Sequence, residues 1–526
     1  MGIAGDYDNM SLADLLAYKV SQNGSRTFAV DRQGRWTWSD IDRGSCVIAA
    51  DLIRMGVRKG SHVALCGTNS INWIAAFFAI QRLGGLAELI NPTMLAADIG
   101  KVAATGDASY IICGKMTEQR DRDAFGQELS RASGISPEHI YYMEDVDLRD
   151  RTVEYDTTGD AVVEPDDVAI MIFTSGTTGS AKGVLHSAQN LLSAAWINRI
   201  DQKLSRDDRT CLILPLFHIF GLLAGLLANA VADATLYIPA DIHVSTIIEL
   251  IDREKITVFH SVPTMLIAIM SNRDFLPEKL KTLRCTIISG AATTKAHMTK
   301  FQEELPNDTF LSSYGLSEMA PVTISSFNDD IDLVRTTVGR PVRDIYIRIW
   351  DPQTGKECPD GQSGEILVKG HRLMTAYYKV PVSDQPLDGE GWLHTGDLGY
   401  RTKDGYICLS GRIKELIIRG GENIMPSMVE NAISSCQGIE NVKVLGVPSD
   451  FYGEEVAACI KPSNKETFDV EALKKELSGK LARYMMPSFI EIYDEFPLLA
   501  SGKMDMRRLK ADVNDRIAGR AGVQNT

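Results

Sequence analysis

Residues Phe173 to Ser187 read Phe-Thr-Ser-Gly-Thr-Thr-Gly-Ser-Ala-Lys-Gly-Val-Leu-His-Ser, small hydroxyl and glycine residues around one lysine, entered from the apolar stretch Val168 to Phe173. Glycines let the backbone turn its N–H groups toward one anion, and hydroxyls and an ammonium add donors in a space that larger side chains would fill. That is chemistry for holding a phosphate. The P-loop Gly-x-x-x-x-Gly-Lys-Ser/Thr does not fit, because aligning Gly176 and Lys182 puts Ala181 and Gly183 where it needs glycine and a hydroxyl. A flexible linker would not normally run directly into Lys-Gly-Val-Leu-His. The run therefore points to nucleotide chemistry on a loop of another kind.

Four more segments join it: Ser313-Tyr-Gly-Leu-Ser-Glu318, His394-Thr-Gly-Asp397, Gly411 to Ile424 (Gly-Arg-Ile-Lys-Glu-Leu-Ile-Ile-Arg-Gly-Gly-Glu-Asn-Ile) and Pro497-Leu-Leu-Ala-Ser-Gly-Lys503. Together, in order and spacing, they resemble the adenylate-forming superfamily of acyl-CoA synthetases, luciferases and peptide-synthetase adenylation domains. The resemblance spans nearly the whole chain. It implies that Thr174, Ser175, Gly176, Thr177, Thr178, Gly179 and Lys182 hold the β and γ groups of ATP. Ala181 stands where the family commonly has proline, which leaves the loop less constrained and removes no donor. By the same resemblance Tyr314 lies against adenine with Gly290 and Ala291 close to the ring. Ser317 replaces the common threonine and keeps its hydroxyl, and Glu318 coordinates Mg2+ through a hard carboxylate oxygen. Outside that context Glu318 reads as a surface helix cap.

Asp397 fits the ribose ligand that the resemblance implies, because a carboxylate accepts from two neighbouring hydroxyls, and Arg412 fits a partner on the same sugar. Lys503 matches the family's catalytic lysine, a mobile cation that bridges the attacking carboxylate and the α-phosphate and stabilises charge at the pentacoordinate transition state. His218, in Pro-Leu-Phe-His-Ile-Phe-Gly, matches the aromatic-gate position beside the acyl carboxylate; read alone it is a satisfied core histidine. Phe217, Phe220, Leu222 and Leu223 make its surroundings apolar, with Val262-Pro-Thr264 and Ser289-Gly-Ala291 as further candidate pocket walls. These segments contain no acidic residue to hold an amino group. Lys414 resembles the hinge about which the C-terminal domain turns, at an element end as such residues are; Glu415 replaces the aspartate often found beside it. Arg419-Gly-Gly-Glu-Asn-Ile is the form of fatty and medium-chain acyl-CoA synthetases, and Gly420 and Gly421 would let the pantetheine arm of coenzyme A pass close to the backbone.

The elements that must position these residues follow from the pattern of apolar runs. The first two-thirds of the chain alternate short Val/Ile/Leu-rich runs with longer helical patterns, as α/β layers with mostly parallel strands do. His62 to Cys66, Tyr110 to Cys113, Thr257 to His260 and Cys285 to Ser289 read as strands, and Asn72 to Leu83 as a helix. Active groups belong in loops beyond the strand ends. Leu212 to Leu216 reads as a buried strand leading through a histidine turn into a buried helix. From Gly364 the texture changes to short strands, Glu365 to Lys369, Leu398 to Arg401, Gly405 to Ser410 and Glu415 to Ile418, separated by turn residues, which favours a β-rich subdomain. The rest resumes helix and strand alternation, with helices Met428 to Ser435 and Val470 to Ala482. The expected architecture is α/β: a large N-terminal adenylation domain of several subdomains, residues 1–413, and a small mobile α+β lid, residues 414–526.

At 526 residues two or more domains are expected, and 44% hydrophobic with 24% charged residues is an ordinary globular composition. A formal net charge of −14 with no long Lys/Arg run disfavours nucleic acid as partner. The nine cysteines show no paired spacing and fit reduced, mostly buried thiols, and the N-terminus lacks a targeting signal; a cytoplasmic location is expected. Cys211 to Ala232 is about as long as a membrane span, but Pro215, His218, Gly221, Gly225 and Asn229 interrupt it, so no span is expected. The resulting expectation is an ATP-dependent acyl-CoA synthetase that joins a fatty or other uncharged carboxylic acid to coenzyme A through an acyl-adenylate. Its rivals are a ligase that loads the acyl group onto a separate carrier protein, a luciferase-like oxygenase, and a nucleotide-binding regulatory protein without ligation; Glu318 and Lys503 together count against the last.

Overall fold

A computed structural model of the chain describes residues 7, 9–114, 122–150, 152, 162–174, 182–290, 293–305, 310–420, 422–449, 451–499 and 503–523. Two large sheets dominate. One runs through strands Tyr110–Cys113, His62–Cys66, Leu86–Ile90 and Val168–Thr174, parallel neighbours, and then turns antiparallel into Lys182–Ser187 and Ala376–Tyr377. The other carries Arg209–Cys211, Val258–Ser261, Cys285–Ile288 and Phe310–Leu316 side by side and parallel, continued antiparallel by Met319–Ile324. Their strands are mostly apolar because helices cover both faces: every residue of Cys285–Ile288 and of Leu86–Ile90 is buried, Thr286 and Glu88 included.

Between the two sheets lies the largest core, where helices Leu12–Asn23, Trp38–Met55, Ile71–Arg82 and Ala188–Asp201 bury their faces against Val63, Leu65, Phe28 and Leu236. Local signals start these helices. Ser11 with Asp14, Thr37 with Asp40 and Ser187 with Asn190 form reciprocal caps, which satisfy backbone donors that the first turn leaves unpaired. A third, five-stranded sheet of Ile345–Asp351, Gly364–Gly370, Leu393–Arg401 and Ile407–Arg412 with Lys356–Glu357 shares a core with the second large sheet through Ile345, Ile347, Ile366, Ile287 and Leu311. This is the β-rich region expected after Gly364.

The chain leaves that sheet at Arg412, makes one short 3-10 turn, Ile413–Glu415, and enters a separate sheet at Ile417–Arg419. That last sheet, with Glu422–Ile424, Ile439–Ser449, Gly453–Pro462 and Phe489–Ile492, has its own cores of Val444, Val456, Ile460, Leu473 and of Leu445, Val447, Leu509. Hydrogen bonds tie the small C-terminal domain to the large one. His297 of helix Lys295–Glu304 donates to the carbonyl of Glu440 at 2.9 Å, and the Ser427 hydroxyl donates to the carbonyl of Ser410.

Several element expectations are corrected. Leu212 to Leu216 is not a strand, since Arg209–Cys211 ends before it. The Asn69 side chain takes the backbone there, donating to Leu214 at 2.8 Å and accepting from the N–H of Leu216 at 2.9 Å, so those groups cannot join a ladder. The buried helix that follows is a π-helix, Gly221–Leu227, running into Ala228–Ala232. Glu415 belongs to the linking turn rather than to a strand, and helix Val470–Leu477 stops ahead of Ala482, where Ser478 and Gly479 end it. Helix Pro426–Ser434 begins two residues early because proline at its first position gives up an N–H that would have no partner. Among the described residues no helix is long and apolar enough to cross a membrane, and eight of the nine cysteines are buried and all are free.

Candidate active site

The proposed phosphate loop is a hairpin connection. Strands Val168–Thr174 and Lys182–Ser187 pair antiparallel with Thr174 opposite Lys182, so the two ends of the run face each other. Ser175, Gly176, Thr177, Thr178, Gly179 and Ala181 lie outside the described residues, as do Ala291 and Gly421. Strand Lys182–Ser187 also reaches the next motif. His186, buried and pushed down to about 4 by that burial, donates from Nε2 to the carbonyl of Ser317 at 2.7 Å. Ser317 and Glu318 form the turn between Phe310–Leu316 and Met319–Ile324, so this bond ties the turn that carries Glu318 to strand Lys182–Ser187. Glu318 is therefore a hairpin-turn residue, not a helix cap.

Glu318 accepts at Oε1 from the hydroxyl of Tyr377, and the ring of the same tyrosine lies 4.9 Å from the Lys182 ammonium. Tyr377 was not picked out from the sequence. It reaches the site because the short strand Ala376–Tyr377 adds antiparallel to Lys182–Ser187, and no local spacing encodes that long-range pairing.

On the facing side three residues converge. The Tyr314 hydroxyl donates to Asp397 Oδ2 at 2.6 Å, and Arg412 Nε donates to Asp397 Oδ1 at 2.7 Å. Asp397 and Arg412 are directly opposite in adjacent strands, and Gly396 and Gly411 beside them have φ of +70° and +150°. Burial raises the pKa of Asp397 and Arg412 opposes that rise; burial and Asp397 together push the Tyr314 phenol up. This corner thus offers a buried carboxylate and a buried aromatic ring together with a guanidinium that stays exposed.

Lys503 comes to this corner from the C-terminal domain. Its ammonium lies 3.3 Å from His218 Nε2, while His218 Nδ1 accepts from the N–H of Phe220 at 3.3 Å. Burial lowers the pKa of Lys503, with nearby Arg412 adding to the effect; burial pushes His218 down to about 3, with Lys503 adding. Gly290 is the other neighbour. It holds φ +85°, and a methyl group there would stand 3.2 Å from Lys503 Cε and 3.6 Å from Val262 Cγ1. A larger residue would push on the lysine. Phe217 and Phe220 are half-buried beside His218, and Val262 is 5% exposed, an apolar lining with no acidic side chain in these segments. Gly420, with φ +58°, lies against the Tyr452 ring, and its N–H donates to the Tyr452 carbonyl at 2.8 Å.

The family model for AMP-binding enzymes matches residues 16–378, and that for the AMP-binding enzyme C-terminal domain matches residues 428–503. YngI of Bacillus subtilis is 30% identical, with 91% of this chain and 92% of YngI covered. The acyl-CoA ligase sidI of Aspergillus fumigatus is 29% identical over 97% of this chain and 92% of its own. The solved structure of ATP-bound MatB from Rhodopseudomonas palustris has the same fold, with a TM-score of 0.86 at 24% identity, covering 96% of this chain and 99% of MatB.

Proposed function

The chain belongs to the AMP-binding enzyme family, and from that membership we propose that it is an AMP-forming acyl-CoA ligase acting on a fatty or other uncharged carboxylic acid. In the first half-reaction a carboxylate oxygen of the acid attacks the α-phosphorus of ATP and pyrophosphate leaves. In the second the coenzyme A thiol attacks the acyl carbon and AMP leaves. The observation that carries the reading is the Lys503 ammonium of the small domain lying 3.3 Å from His218, with Arg412 close enough to depress its pKa. An ammonium beside a neutral histidine, with the Asp397-paired guanidinium of Arg412 near enough to act on it, suits a site that receives phosphate and carboxylate.

In this reading Lys503 bridges the acid and the α-phosphate, and Arg412 and Asp397 hold the ribose while Tyr314 packs on adenine. His218, kept neutral by its burial, orients the acid without repelling the cation. Thr174 and Lys182 frame the phosphate loop. Mg2+, when bound, neutralises charge on the leaving phosphates. Glu318 would hold it: among the described residues its second oxygen accepts no hydrogen bond, and Mg2+ takes one or two carboxylates plus phosphates and waters. The apolar lining around Phe217, Phe220 and Val262 supports an uncharged acyl group. We place the domain boundary at Lys414, giving domains 1–413 and 414–526, because the turn Ile413–Glu415 alone links two separate sheets.

The test is to incubate the purified protein with ATP, Mg2+, coenzyme A and a panel of carboxylic acids, and to follow pyrophosphate, AMP and thioester separately. All three products with a fatty or aromatic acid are expected. Pyrophosphate without thioester would redirect the acyl group to a carrier protein, and no product with any acid would overturn the reading.

A further inference from the structure

Lys182 and Glu318 carry opposite charges within reach of one side chain, yet no ion pair joins these two described residues; Tyr377 takes both. Its hydroxyl donates to the carboxylate, and its ring faces the ammonium at 4.9 Å. A phenol that donates to a carboxylate gains electron density in its ring, which strengthens the attraction for a cation over the face. We propose that Tyr377 is a positioning residue that keeps Lys182 and Glu318 apart, so that the lysine stays available to a phosphate and the carboxylate to a magnesium ion. The inference rests on the proposed function for what those two groups receive.

The tyrosine is held for that work from several sides. Its strand pairs with Lys182–Ser187, and the Gln385 side chain closes the turn behind it, accepting from the Tyr377 N–H at 2.9 Å and donating to the Tyr377 carbonyl at 3.0 Å. The next two residues point elsewhere: Tyr378 donates to Asp107 Oδ2 at 2.6 Å and Lys379 to Asp107 Oδ1 at 2.7 Å. These contacts just past the strand anchor its end on Asp107, while the pairing of Tyr377 with Val184 fixes its register. If the ring were replaced by a smaller aliphatic group, Lys182 and Glu318 would be free to collapse on each other, and each would then compete with the ligand of the other.

Two variants separate the two contacts, Tyr377→Phe, which keeps the ring and loses the hydroxyl, and Tyr377→Leu, which loses both. The first readout is the rate at which an amine-reactive acetyl ester labels Lys182 in nucleotide-free protein, measured by peptide mass spectrometry. Y377F should label at the parental rate. Y377L should label about two- to fivefold more slowly, the scale of a partly exposed ion pair, and the Y377L/E318Q double variant should return to the parental rate. Parental labelling of Y377L, or a double variant as slow as Y377L, would overturn the spacer role. The second readout is calorimetric binding of ATP across a range of magnesium, with no acid or coenzyme A present. Y377F should need about tenfold more magnesium for half-maximal tightening, the scale of one lost hydrogen bond to a charged group; an unchanged requirement would overturn the role even if Y377L fails to fold. ATP binding and ligation by the parent test the proposed function on their own, while labelling reports on Tyr377 without any ligand.

Discussion

The ammonium of Lys503 lies 3.3 Å from Nε2 of His218, joining residues of different domains across the candidate site. Neither group gains from the other in charge, since burial depresses the pKa of both. Their approach is understandable if the lysine is there to receive an anionic substrate beside a neutral histidine. Lys503→Ala should therefore slow pyrophosphate release by roughly 10²–10³-fold, the usual loss for one preorganised electrostatic contact to a transition state. Thioester formation from a supplied acyl-adenylate should persist. Equal losses in both half-reactions would mean that the substitution damages the docking of the small domain instead.

Gly290→Ala probes the same lysine from the other side. The residue sits at φ +85°, where an L side chain is strained, and the added methyl would stand 3.2 Å from Lys503 Cε. The expected result is a fall in the first half-reaction for short and long acids alike. A change confined to long acids, with short ones unaffected, would show that Gly290 walls the acyl pocket and leaves Lys503 undisturbed.

Much of this was legible because buried parallel strands write themselves as unbroken apolar runs: His62–Cys66 and Cys285–Ile288 appear almost residue for residue. The glycine and hydroxyl run at Thr174 to Lys182 stood out for a different reason, its composition, and only its two ends, Thr174 and Lys182, fall among the described residues. Pairings between distant strands were not legible. Tyr314 and Asp397 are 83 residues apart and meet only because two sheets share a core, and Tyr377 enters the site through a two-residue strand. Leu212 to Leu216 misled because its apolar pattern is that of a strand, whereas the Asn69 amide, far away in sequence, captures its backbone.

Asp397→Asn tests the cluster of Tyr314, Asp397 and Arg412. The carboxylate accepts from Tyr314 and Arg412 at 2.6 and 2.7 Å, and an amide of the same shape cannot replace it toward both donors. ATP binding measured by calorimetry should weaken by about 10- to 100-fold, corresponding to ~1.5–3 kcal/mol for a hydrogen bond to a charged group. Unaltered ATP affinity would remove Asp397 from the nucleotide site.

Stability should fall in acid in part through buried histidines. His260 donates to Gln202 Oε1 at 2.7 Å, and burial pushes its pKa down to about 4 from the ordinary 6.5. Its folded value is the depressed one, so its contribution is full above 6.5 and is lost as pH falls toward 4, where the unfolded chain takes a proton that the fold refuses. His186 and His218 act in the same direction. Asp201 opposes them: burial raises it to about 6, and below that pH the fold binds its proton first. His260→Leu should be less stable at pH 7, because Gln202 loses its partner, yet its denaturation free energy should change with pH less steeply, by up to about 1.4 kcal/mol per unit between pH 6 and 4.5. Parallel curves for variant and parent would show that His260 is already protonated in the fold.

The last prediction concerns motion. Arg412 ends one sheet and Ile417 starts another, with only the exposed turn Ile413–Glu415 and Leu416 between them, so any rotation of the small domain must be absorbed there. Lys414→Pro would fix φ in that turn. The orientation seen here already brings Lys503 to His218, which suits the first half-reaction, whereas Gly420 and its neighbours would have to turn toward the site for the second. Pyrophosphate release should therefore survive within about tenfold, a loss of no more than ~1.4 kcal/mol in barrier, and thioester formation from supplied acyl-adenylate should fail. Measured separately, equal rates for variant and parent in both half-reactions would place the pivot elsewhere and remove the ground for a domain boundary at Lys414.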